Sequence, residues 1–163
     1  MNVPIGTILA YAGDVDGNAR GSLETQGWLV CDGAEYAESD YPDLENTIGT
    51  YYGTASKAGM FKVPDLQGFF LRGLDGGTGR DPDANSRTSL YYGGNEGNKV
   101  GSYQGDELKS HTHTSTRENV QGSANFQGGQ DGWGNKAEVT EFGGSETRPK
   151  NIYVNYIIKA KDV

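Results

Sequence analysis

A chain of 163 residues has room for one domain, or for one domain with a long excursion. Its formal net charge of −8, with no visible Lys/Arg cluster, argues against nucleic acid and an anionic membrane surface as partners. No apolar run is long enough to span a bilayer and no basic-then-apolar signal peptide follows Met1, so neither membrane insertion nor signal-led export is expected.

Gly accounts for 26 residues, more than twice the usual share, while Leu, Ile, Val and Phe together number only 29. Each Gly costs extra entropy on ordering. Ten Tyr and two Trp pull the other way, because their rings bury large areas. One Cys cannot form a disulfide within the chain, so metal binding, oligomerisation or both are the expected sources of added stability.

In chain order, Ile5, Ile8 and Leu9 open a first strand that stops at Ala12-Gly13-Asp14. Asp14-Val15-Asp16-Gly17-Asn18 has the opening spacing of a calcium loop, but Ala19 and Thr25 replace the Gly and Glu it needs, so a turn is expected. Gly27-Trp28-Leu29-Val30-Cys31-Asp32-Gly33 is a second apolar run, within which Cys31 reads as a buried, inert thiol. Ser39 or Asp40 is expected to cap a two-turn helix that has Pro42 in its first turn, Leu44 and Ile48 on one face, and Gly49 as its stop. Two further apolar pieces follow, from Phe61 to Leu66 and from Phe69 to Gly73. Asp65, Arg72 and Asp75 read as turn and ion-pair residues that support the fold.

From Leu74 to about Thr147 the chain is nearly all Gly, Asn, Asp, Gln, Ser and Thr. So long a connection is expected to form an inserted lobe, anchored by a few large side chains. Tyr91, Tyr92 and Trp133 are among them. A sugar face could stack on Trp133 while Asp131 and Asn135 bond its hydroxyls; equally, Trp133 could be the core of a lobe short of apolar residues. Tyr91 and Tyr92 carry the same two readings.

Both histidines, His111 and His113, lie within Ser110-His111-Thr112-His113-Thr114. In an extended strand they share one face, about 7 Å apart, and can reach one metal ion. Two ligands leave any coordination sphere open, so Asp, Glu, water or other copies of the chain must complete it; three copies would supply six nitrogens. The plainer reading is a pair of exposed histidines on a Thr-rich loop. Ile152-Tyr153-Val154-Asn155-Tyr156-Ile157-Ile158-Lys159 is the best strand, apolar on both faces, and is expected to be central and paired with the first strand.

The blocks from Pro4 to Gly13, Gly27 to Gly33, Tyr41 to Leu44, Ile48 to Gly53 and Phe61 to Gly73 together resemble, in order and spacing, the phage tail collar domain of short tail fibres and long-fibre tips. Thr147-Arg148-Pro149-Lys150-Asn151-Ile152 resembles the family's C-terminus. The resemblance implies a mainly β, small α+β fold with one or two short helices, in an intertwined homotrimer. Residues 1–75 would form the collar-like module, 76–147 an elongated Gly-rich lobe, and 148–163 a strand returning to the module. It further implies that His111 and His113 of each chain bind one metal on the threefold axis, with iron, zinc or nickel suited to six imidazoles.

The function this implies is attachment at the tip of a phage tail fibre, or of a phage-like contractile injection particle, to a cell-surface glycan or lipopolysaccharide. Other tail-fibre or baseplate proteins would be partners, and the virion tail or extracellular particle would be its location after synthesis in the bacterial cytoplasm. An alternative is a structural adaptor without receptor binding; a third is a metal-dependent polysaccharide hydrolase. No catalytic residue is assigned. The chain starts at Met1 directly on the collar-like block, with no heptad or Gly-X-Y period, so a separate tip subunit or one piece of a longer fibre is expected.

Overall fold

A computed structural model describes residues 3–110, 112 and 144–163. His111, His113, Asp131, Trp133 and Asn135 therefore lie outside the described residues. The chain divides into two compact units, one of Met1–Gly105 with Asn151–Val163 and the other of Asp106–Lys150. The polar stretch that begins near Leu74 is thus shared between them.

The first unit is mainly β with two short helices. Its order is β1 (Ile8–Tyr11), α1 (Asn18–Thr25), β2 (Trp28–Val30), β3 (Glu35–Ala37), α2 (Pro42–Ile48), β4 (Met60–Lys62), β5 (Thr88–Ser89), β6 (Ser102–Tyr103) and β7 (Asn155–Lys159). A single 3₁₀ turn, Ala84–Ser86, precedes β5. The main sheet runs β1-β7-β2, antiparallel throughout, with Ile8 opposite Ile158 and Leu29 opposite the same Ile158 on the other side. The last strand is therefore central, as its two apolar faces require. Ile158 packs with Leu29, Leu44, Ile48, Phe61 and Val63 in one buried cluster, while Ile157 packs with Val30 and Leu23 in another.

Alternation along β2 and β7 sends neighbouring side chains to opposite faces, so each strand serves both clusters. The strand is shorter than its sequence suggests: Ile152, Tyr153 and Val154 are exposed and irregular, and pairing begins at Asn155. The first strand likewise starts at Ile8, not Ile5, because Thr7 N donates to Pro4 O in a turn and Gly6 N donates to Lys159 O.

Helix α2 buries Leu44 and Ile48, carries Pro42, Asp43 and Glu45 in its first turn, and stops at Gly49, where φ is 46°. Its cap corrects the expectation. Tyr41 occupies the N-cap with no side-chain bond, while Ser39 and Asp40 belong to the preceding turn, in which Asp40 N donates to Ala37 O. Helix α1 was not legible, because Gly17 starts it, Gly21 interrupts it and Leu23 is its only buried residue. Arg20 ties it to the core by an ion pair with Asp32 and a hydrogen bond to the Tyr36 hydroxyl at 3.3 Å.

Strands β3 and β4 pair with Tyr36 opposite Phe61, and the rings of Tyr36 and Tyr41 meet edge to face at 5.5 Å. The turn after β2 needs Gly33 at φ 76°: a Cβ there would meet the Asp65 side chain at 3.1 Å. Val63 and Pro64 are fully buried just before Asp65, so the base of the turn is fixed.

Candidate functional site

Beyond β4 the chain winds through Phe69 to Leu74 and a closed turn, then returns as the β5–β6 hairpin. Between these pieces lies a cleft of about 320 Å³ with an apolar floor that includes Ile8, Tyr52, Leu66 and Leu90. Phe70, Leu71 and Leu74 stand at its rim.

Asp65, Arg72, Asp75, Asp81 and Arg87 along the cleft are each engaged. Asp75 accepts from the amides of Asp81, Gly79 and Arg80 and from the Thr78 hydroxyl, at 2.8 to 3.0 Å, and those bonds hold its carboxyl below the usual carboxylate range. Asp81, buried, lies between the guanidinium groups of Arg72 at 3.5 Å and Arg87 at 3.6 Å. Arg87 also donates to Ser102 Oγ, Ser102 O and Gln104 Oε1, which fixes β6 against the loop before β5. Arg72 thus pairs with Asp81, while Asp75 closes its turn through three backbone amides and the Thr78 hydroxyl.

Tyr91 lines the cleft, and its hydroxyl donates to Asp65 Oδ2 at 2.6 Å. The ammonium of Lys62 lies 4.0 Å from the centre of the Tyr91 ring. The accepting carboxylate raises the phenol's pKa, so the tyrosine stays a neutral donor. Tyr92 is 91% exposed and outside the cleft; its carbonyl accepts from Thr54 N at 2.9 Å. The structure therefore places Tyr91 in the wall of the cleft and Tyr92 in solvent. Arg87 and Asp81 escaped sequence reasoning because no spacing links them to Arg72.

Cys31 is buried, and burial together with the neighbouring Asp32 pushes its thiol up to about 12, so it holds no thiolate near neutral pH. Among the described residues no group of three or more His, Cys, Asp and Glu lies together to hold a metal ion. No helix among them is long and apolar enough to cross a membrane.

The family model described as Phage Tail Collar Domain matches residues 6–71. Protein RhiB of Rhizobium leguminosarum bv. viciae is 34% identical, across 96% of this chain and 86% of its own length. The chain belongs to the phage tail collar family. Protein StfE of Escherichia coli K12 is 30% identical across 82% of this chain and 79% of itself. The Short tail fiber protein gp12 of Enterobacteria phage T4 is 30% identical across 98% of this chain, which spans 36% of that protein. The matched collar span runs from Gly6, just ahead of β1, to Leu71 and stops short of β7, the strand that fills the centre of the sheet. The collar core of this chain is therefore closed by residues more than eighty positions beyond the matched span.

Proposed function

We propose that the chain is the attachment tip of a tail fibre, of a phage or of a phage-like contractile injection particle, built as a homotrimer. His111 and His113 of three chains would hold one iron, zinc or nickel ion, and the polar lobe would meet a cell-surface glycan or lipopolysaccharide. The observation that carries this reading is the similarity to a protein named for a short tail fibre over 98% of the chain. The role is mechanical and adhesive, with no catalytic step.

The donor chemistry fits the metal, since imidazole nitrogens suit borderline ions and six of them complete a shell that two leave open. When bound, the ion supplies a crosslink among three chains. The residues do the rest: Asp75, Asp81 and Arg87 hold the loops around the cleft, and β7 ties the C-terminus to the collar sheet. Tyr91, Tyr92, Asp131, Trp133 and Asn135 are the residues proposed to meet the receptor.

The test is binding of the full chain to immobilised lipopolysaccharide and a glycan array, with Trp133→Ala alongside. Saturable binding that falls at least tenfold in the variant supports the reading. No binding, with co-purification of another particle protein, favours the structural adaptor. One observation favours that second reading already: the Rhizobium relative is matched over 86% of its length, which leaves it little chain for a shaft.

A further inference from the structure

Among the described residues, two apolar surfaces of the first unit stand exposed. One is the rim of the cleft, where Phe70, Leu71 and Leu74 are 58%, 51% and 53% exposed. The other is Ile152-Tyr153-Val154, at 91%, 90% and 42% exposed, a run of three large side chains just ahead of β7. Single exposed apolar residues are ordinary, but two contiguous groups of three mark contact surfaces.

We propose that residues 152–154 of one chain lie in the cleft of the next, with Tyr153 anchored among Phe70, Leu71 and Leu74. The inference rests on the trimeric reading and names the contact that closes the ring. Cyclic trimers need a heterologous interface, in which one surface of each chain meets a different surface of its neighbour. This chain carries two such surfaces, and residues 152–154 do not line their own cleft.

The chemistry matches on both sides. A cleft of about 320 Å³ takes one or two large side chains, and its apolar floor would exclude water around them. Arg72, with its side chain 52% exposed beside the cleft, offers a guanidinium to an incoming tyrosine ring or hydroxyl. Filling the cleft with residues 152–154 takes Tyr91, which lines it, out of the proposed receptor set and leaves Tyr92, Asp131, Trp133 and Asn135 for that role. The contact covers on the order of 800 Å², about half of a standard interface, so it acts as an anchor within a larger trimer surface.

The experiment links thiols in the full chain with a bismaleimide. Cys31 stays silent in the native protein because it is buried and its thiol is pushed up to about 12. A variant carrying both Leu71→Cys and Tyr153→Cys is expected to run as a covalent trimer on a denaturing gel. Each single variant is expected to stay a monomer there, and chains bearing one change each, refolded together, are expected to link only to one another. Both positions are exposed, so the variants should fold, which circular dichroism checks. In parallel, Tyr153→Asp is expected to lower the trimer fraction at least tenfold by sedimentation.

If wild type sediments as a trimer while the double variant stays unlinked or links only within one chain, this contact is wrong and the trimeric reading stands. A single variant that links to itself, or an undiminished trimer in Tyr153→Asp, overturns it as well. So does a glycan that shields Leu71→Cys from maleimide, since the cleft would then belong to a sugar. A wild type that sediments as a monomer overturns both readings.

Discussion

At the scale of single residues, the loop that borders the cleft depends on one carboxylate. Asp75 receives three backbone amides and one hydroxyl, all of which favour its charged form. Its folded pKa is depressed from 3.8, so its contribution to stability is present above that value and is lost as pH falls toward the folded pKa. Asp75→Asn is expected to lower the melting temperature at pH 7, and the gap from wild type should close progressively below about pH 4. Calorimetry across pH 2 to 7 checks it, and a gap independent of pH would refute the charge argument. Tyr91 makes a second such point, since its hydroxyl gives Asp65 a charge-assisted bond at 2.6 Å. Tyr91→Phe is expected to cost about 1 kcal/mol in urea unfolding while leaving the fold intact. A neutral effect would mean that water replaces the phenol at no cost.

Among the elements, two glycines six residues apart, one inside α1 and one just beyond it, do opposite work. Gly27 joins α1 to β2 at φ 78°, and a Cβ there would clash with the Lys161 carbonyl oxygen. Gly27→Ala is expected to destabilise by roughly 2 kcal/mol or more, from left-handed strain and that clash together. Gly21 lies inside α1 with nothing near its missing Cβ, so Gly21→Ala should stabilise by about 0.5 to 1 kcal/mol. Paired urea melts test both, and matching signs would overturn the contrast. The same helix shows where sequence reading ends. Strand β7 was legible because Ile157 and Ile158 must both be buried, and α2 because Pro42, Leu44, Ile48 and Gly49 each agree on its span. Helix α1 has no such agreement: it is stabilised by Leu23 and by the Arg20–Asp32 pair, partners that only the folded chain brings together. The cleft was hidden for a like reason, since Arg72, Asp81 and Arg87 are joined by geometry that no spacing announces.

For the whole molecule, the question is what makes up for a thin interior. The described core is small, and among the described residues seven large apolar side chains around the cleft and before β7 are exposed. Glycine loops closed by residues such as Asp75 order themselves locally but bury little. On the proposed reading, association and a shared ion supply the stability that a single chain of this composition lacks. An ion that binds the folded trimer and not the unfolded chain stabilises it by about 2.7 kcal/mol at a hundredfold excess over its dissociation constant. Purified protein is therefore expected to carry one transition metal ion per three chains by mass spectrometric metal analysis. A strong chelator should lower its melting temperature and slow its sedimentation, and His111→Ala or His113→Ala should reproduce both effects without chelator. An ion-free, well-ordered monomer that melts at the same temperature in all four samples would show that one copy suffices, and would leave the exposed apolar runs to another partner.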